Sequence, residues 1–112
     1  MTMPYTENLA VDTRKLVDYL LSPVSSRGRH KAAFFQRFGY TIANMTVFAE
    51  ALREHGQSQQ VTRIVDTPYG RRYYVDGPLQ SPDGRNPHVR TVWQLEPGSQ
   101  SPRLLTAFRR RM

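Results

Sequence analysis

Two runs of β-branched and aromatic residues near the C-terminus constrain the fold most, because turn-forming residues bound both of them. Residues 88–95 follow Pro87, residues 103–108 follow Pro102, and Pro97-Gly98-Ser99 lies between the two runs. Proline and glycine at these points predict two strands joined by a longish loop, which together form a β-hairpin.

The same signals predict a second hairpin and three helices upstream. The strands are predicted at residues 61–65 and 71–76, and the helices at 12–21, 29–38 and 44–55. Gly39 is predicted to cap the second helix in a left-handed conformation, Asn44 to cap the start of the third, and Gly56 to end it. Residues 57–60 then form a polar connector.

Helices followed by strands are typical of an α+β domain. We expect two to three N-terminal helices packed on one face of a four-stranded antiparallel sheet, in a single domain over residues 1–112. Residues 1–11 are predicted to be a loose leader and residues 109–112 a basic tail. The helices cover one face, so the other is expected to stay open to solvent or to a partner.

The charge pattern narrows the function classes. The net charge is +7, the excess lies in the C-terminal half, and all basic residues except Lys15 and Lys31 are arginines. Arginine makes bidentate contacts with phosphate and stacks on bases, which favours a nucleic-acid partner. Cysteine is absent and no apolar run approaches membrane-spanning length, so we expect a cytoplasmic protein without membrane contact.

Strand alternation assigns the side chains of the last hairpin to two faces. Val89, Thr91, Trp93 and Leu95 are predicted to face the helices, and His88, Arg90, Val92 and Gln94 to face outward. Trp93 is the expected core anchor. On the last strand the alternating sets are 104, 106, 108 and 105, 107, 109, and the pattern leaves open which of them faces outward.

Six segments resemble a bacterial family classed as a domain of unknown function, DUF6883. They lie at residues 15–21, 28–35 with 38–41, 69–79, 83–85, 90–93 and 102–108. The last two also resemble the C-terminal hairpin of toxin ribonucleases of the barnase–EndoU–colicin–RelE superfamily, where Arg-Thr-x-Trp is followed by Pro-Arg-Leu-x-Thr-Ala-Tyr. Phe108 replaces the final tyrosine here and lacks its hydroxyl.

The superfamily resemblance implies metal-independent cleavage of RNA, in which the 2′-OH attacks the adjacent phosphate. It implies catalytic roles for His30 as base or acid, for Lys31 and Arg90 on the phosphate, and for Thr106 as hydroxyl donor. The predicted substrate-binding set is Thr91, Tyr73, His88 and Arg85. No metal-ligand spacing, phosphate loop or cofactor motif is present in the sequence.

The resemblance implies RNA, tRNA included, as one partner and an immunity or antitoxin protein as another. The oligomeric state stays open. The alternative is a non-catalytic module of a bacterial conflict system that binds nucleic acid or an acidic protein through the same face. Each candidate also has an ordinary role: His30 and Lys31 as solvated helix residues, Thr91 and Tyr73 as scaffold, and Arg90 as the ion-pair partner of Asp76 or Glu96.

Overall fold

A computed structural model describes residues 2–17 and 29–110 of the chain, without the side chains of residues 29–31. Its helices and strands are α1 Thr13–Lys15, α2 Arg29–Arg37, α3 Met45–Ser58, β1 Gln60–Thr67, β2 Gly70–Pro78, β3 His88–Leu95 and β4 Arg103–Arg109. The strands form one antiparallel sheet in the order β1-β2-β3-β4. The predicted α+β class is confirmed, while the predicted course of the first helix beyond Val17 lies outside the described residues.

Helix α3 continues past Gly56, so the prediction that this glycine ends the helix is wrong. A Cβ at residue 56 would lie 2.7 Å from both Leu9 Cδ1 and Trp93 Cζ2. Glycine therefore permits the close approach of α3 to the sheet, which offsets its poor helix propensity. The predicted connector is shorter than expected, because Gln57 and Ser58 belong to α3 and Gln60 begins β1.

The turn before α3 is capped differently from the prediction. The Asn44 side chain makes no cap hydrogen bond to α3. It instead accepts from the Thr41 backbone N–H at 2.7 Å, while the Thr41 hydroxyl accepts from the Asn44 N–H at 3.2 Å. This reciprocal capping box begins the 3-10 turn Ile42–Asn44, from which α3 continues. Gly39 has the predicted left-handed φ of 101°.

The N-terminal segment is part of the core, which corrects the expectation of a loose leader over residues 1–11. Met3, Leu9 and Val11 are buried. Ala10 forms a parallel bridge with Arg103, and its N–H donates to the Pro102 carbonyl at 2.8 Å. Two polar side chains of α3, Arg53 and Gln57, also donate to carbonyls of this segment. The segment therefore lies along the outer edge of β4.

An irregularity in β4 breaks the strict alternation assumed from sequence. The register shifts between Val92 and Trp93, so that Val92 pairs with Thr106 and Trp93 pairs with Leu104. Leu104 and Ala107 both reach the core as a result. Neither alternating set predicted for this strand is therefore correct. We call the side of the sheet opposite this core, which carries Thr106, the front face.

The core lies between the helices and the other side of the sheet. Trp93 is fully buried there, as predicted, and the rings of Phe35, Tyr40 and Phe48 pack together with Phe48 at 4.9 Å and 4.5 Å from the other two. The front face is less open than expected. Val92 and Gln94 lie on it, yet they are only 4% and 2% exposed. No helix in the described ranges is long and apolar enough to cross a membrane.

Candidate functional site

A cleft rich in arginine lies at the end of the sheet where β3 begins and β4 ends. Its volume is about 750 Å³. The walls come from α2, from the loop between β2 and β3, from the start of β3 and from the end of β4. The lining residues, which we call the arginine cleft, are Phe34, Arg37, Phe38, Arg85, Pro87, His88, Arg109 and Arg110. None of them is acidic, so the cleft has a positive field suited to anions.

Arg85 is held over the aromatic wall of the cleft. Its guanidinium lies 4.5 Å from the centre of the Phe38 ring, within the range of a cation–π contact. Its Nε donates to Asp83 Oδ2 at 2.6 Å, and its Nη2 donates to the carbonyl of Arg37. A hydrogen bond from Ser81, followed by those from Arg85, lowers the pKa of Asp83 to about 2. The loop therefore holds the Arg85 guanidinium in place while its side chain stays 61% exposed.

Arg37 and Arg109 differ from Arg85 because no carboxylate neutralises them. Arg37 ends α2, Arg109 ends β4, and both are exposed. Within the two described ranges neither side chain has an ion-pair partner. Their N–H donors therefore remain available to an anion that enters the cleft.

Arg110 connects the cleft to an ion-pair cluster on the front face. Its Nε lies 3.6 Å from Asp76 Oδ2, and its backbone N–H donates to the His88 carbonyl. Asp76 accepts two hydrogen bonds from Arg90, at 2.7 and 2.8 Å, and one from Thr62 at 2.8 Å. Chiefly through the bonds from Arg90, the pKa of Asp76 is lowered. Arg90 also lies over the ring of Tyr74, 5.3 Å from its centre.

A second polar network is buried behind the sheet. His55 Nε2 donates to the carbonyls of Gly77 and Val89, each at 3.0 Å. Since carbonyls only accept, His55 Nδ1 is the nitrogen that accepts from the Thr91 hydroxyl at 2.9 Å. The Thr91 oxygen in turn accepts from Trp93 Nε1 at 2.8 Å. Burial lowers the pKa of His55 and favours this neutral form.

The structure thus separates the residues predicted from sequence. Arg85 and His88 line the arginine cleft, and the Nδ1 atom of His88 is buried with no hydrogen-bond partner among the residues that the structure describes. Arg90 and Thr106 lie on the front face, outside the lining of the cleft. His30 and Lys31 lie at the start of α2, but their side chains are outside the described residues.

Two predicted substrate contacts are buried, which corrects their assignment. Thr91 is 0% exposed and belongs to the network with His55 and Trp93, and Tyr73 is 3% exposed in the core. Neither side chain can contact RNA in this arrangement. His55, near the C-terminal end of α3, is also buried, at 2% exposed.

Sequence reasoning missed Arg37, Arg109, Arg110 and the two phenylalanines of the cleft. Arg109 and Arg110 had been assigned to a basic tail, but Arg109 belongs to β4 and Arg110 bonds to the start of β3. A signal was present in α2, where Phe34, Arg37 and Phe38 are spaced three and four residues apart and share one helix face. That spacing places an arginine between two aromatic residues on one surface.

These features define a small, basic α+β protein with a cation-lined cleft at one end of an antiparallel sheet. The chain belongs to the family described as "Domain of unknown function (DUF6883)", whose model matches residues 2–111. A solved contact-dependent growth inhibition toxin–immunity protein complex from Klebsiella pneumoniae 342 contains a chain of the same fold, with a TM-score of 0.71 and 20% identity. The match covers 96% of this chain and 98% of that one. A search of curated proteins found no match.

Proposed function

We propose that this chain is a toxin domain that binds RNA in the arginine cleft and cleaves it without a metal ion. The observation that carries the proposal is the lining of the cleft, which combines four arginines, His88 and two phenylalanines without a carboxylate. Phosphate binding, proton transfer and base stacking are the three capacities that ribonucleolysis needs. The shared fold with a chain of a growth inhibition toxin–immunity protein complex supports the toxin role.

The proposed reaction is an internal transesterification. A general base takes the 2′-OH proton, the 2′-oxygen bonds to phosphorus, and the bond from phosphorus to the 5′-oxygen breaks as a general acid protonates that oxygen. The products are a 2′,3′-cyclic phosphate and a free 5′-OH. The arginines would stabilise the extra negative charge of the transition state.

We assign the two proton transfers to His88, which lines the cleft, and to His30, which lies in the first turn of the helix that ends in Arg37. His30 is one helical turn before Phe34 in the sequence, and Lys31 follows it as a further phosphate ligand. Arg90 and Thr106 do not contact the reacting phosphate in this proposal, because they lie on the front face, outside the cleft. Arg90 pairs there with Asp76, which Arg110 joins to the cleft.

Cleavage of RNA by the purified chain tests the proposal. We expect a 2′,3′-cyclic phosphate product from total RNA or tRNA in the presence of a chelator. Activity should fall at least about 100-fold in His30→Ala and His88→Gln, as for loss of a general acid or base. Arg14→Ala is the control for loss of a basic side chain elsewhere, because Arg14 is 91% exposed and lies outside the lining of the cleft.

One observation favours the alternative of a non-catalytic binding module. Arg90 already makes two hydrogen bonds to Asp76, which reduces its availability to a phosphate. If no RNA is cleaved by the wild-type chain while salt-sensitive binding persists, the binding module replaces the ribonuclease.

The toxin role also implies a protein partner that restrains the domain. We propose an immunity-type protein, by analogy with the Klebsiella complex. Growth arrest on expression of the chain in the cytoplasm, relieved by a protein encoded beside it, supports this role. Unimpaired growth at high expression of folded wild-type chain contradicts it.

A further inference from the structure

We infer that the arginine cleft takes an unpaired stretch of RNA, with a phosphate held by Arg37 and Arg109 and a base stacked on Arg85. The inference rests on the proposed function only for the choice of RNA as the polyanion. It adds to the proposed function the positions of one phosphate and one base within the cleft, and the preference for unpaired over double-stranded RNA.

The phosphate ligands are inferred from which of the four arginines already have a carboxylate partner. Arg85 Nε lies 2.6 Å from Asp83 Oδ2, and Arg110 Nε lies 3.6 Å from Asp76 Oδ2. Both arginines therefore have a carboxylate that competes with an incoming anion. Arg37 and Arg109 have no such partner within the described ranges and come from two different elements of the cleft. A phosphate between them gains contacts to two guanidinium groups without breaking an existing ion pair.

The stacking position follows from the placement of Arg85. One side of its guanidinium is occupied by the Phe38 ring at 4.5 Å, while 61% of the side chain remains exposed. Guanidinium planes stack on nucleobases as well as on aromatic rings. A base on the outer side would complete a stack of ring, guanidinium and base, in which the Asp83 carboxylate fixes the central layer.

The stacking position on Arg85 decides between single and double strands. Bases within an A-form duplex are already stacked on their neighbours, and only their edges reach the shallow minor groove. A base can stack on Arg85 only after it has left a duplex, so the cleft should select loops, bulges or single-stranded ends.

Binding of uncleavable RNA tests the inference independently of catalysis. Fluorescence anisotropy compares a labelled 2′-O-methyl RNA of about 12 nucleotides with the same strand in a perfect duplex. We expect the single strand to bind at least about tenfold more tightly to the wild-type chain. Arg37→Ala and Arg109→Ala should each weaken that binding about tenfold, the loss expected for a charged hydrogen-bonded contact, and should reduce the salt slope by about 0.7.

Arg85→Lys isolates the stack, because lysine keeps the charge and loses the planar group. This variant should reduce the preference for the single strand, while Arg14→Ala leaves both affinities unchanged. Equal affinity for duplex and single strand, or unchanged binding in Arg37→Ala and Arg109→Ala, overturns the inference, as does the absence of RNA binding. Since the 2′-O-methyl group blocks cleavage, intact binding with no cleavage of ordinary RNA contradicts only the proposed reaction.

Discussion

Replacement of Thr91 by valine isolates the contribution of the buried hydrogen-bond network, because the two side chains have nearly the same volume. The Thr91 oxygen accepts from Trp93 Nε1 and its hydroxyl donates to His55 Nδ1. Valine leaves Trp93 Nε1 and His55 Nδ1 buried without a hydrogen bond. At about 1 to 3 kcal/mol for each unsatisfied group, Thr91→Val should lower the free energy of unfolding by about 2 to 6 kcal/mol.

Urea denaturation followed by Trp93 fluorescence and by circular dichroism measures this loss at pH 7.5. Thr46→Val is the control, since Thr46 is exposed on α3 and should change stability by less than about 0.5 kcal/mol. A loss below about 1 kcal/mol for Thr91→Val would refute the reasoning. It would mean that Trp93 and His55 find other partners, or that the network contributes little to stability.

Three further predictions concern pH, packing and charge. Because burial lowers the pKa of His55, the unfolded chain binds more protons than the folded chain below pH about 6.5. The free energy of unfolding should therefore decrease by up to about 1.4 kcal/mol for each unit by which the pH is lowered below that value. Unfolding titrations that show the same slope in His55→Gln contradict this. Gly56→Ala should lower the melting temperature and cost about 1 to 3 kcal/mol, since its Cβ would lie 2.7 Å from Trp93 and Leu9; a raised melting temperature would show that helix propensity outweighs packing. Asp76→Asn should cost about 2 to 4 kcal/mol because Arg90, only 14% exposed, loses its counter-ion. Asp66→Asn, whose pair with Arg71 is exposed, should change denaturation little, and equal effects of the two would refute the distinction.

The local patterns that predicted the fold were those that depend on neighbours in sequence. Strand β3 matches its predicted range, and Gly39 takes the predicted left-handed conformation, because proline and glycine fix the backbone locally. The predicted end of α3 was wrong because Gly56 is required by close contact with Leu9 and Trp93, which are distant in sequence. Periodicity carries no information on such a close approach.

The candidate site was harder to predict for the same reason. Arg85 and His88, which the sequence predicts as substrate-binding residues, both line the cleft, but Arg37 and Arg109 join them only through the packing of α2 near the end of β4. Thr91 was chosen for its hydroxyl, yet the strand turns that hydroxyl toward His55. The faces of β4 could not be assigned, since the register shift near Val92 leaves no signal in the alternation of residues.

The bridge between Ala10 and Arg103 has a consequence for folding of the chain during translation. The Ala10 N–H and carbonyl bond to residues 102 and 104, so this contact spans most of the chain. Met3, Leu9 and Val11 are translated well before β4 but find their final environment only after β4 has been translated. A nascent chain stopped before β4 would therefore keep these apolar residues uncovered, and we expect such truncated products to be degraded or captured by chaperones rather than to fold.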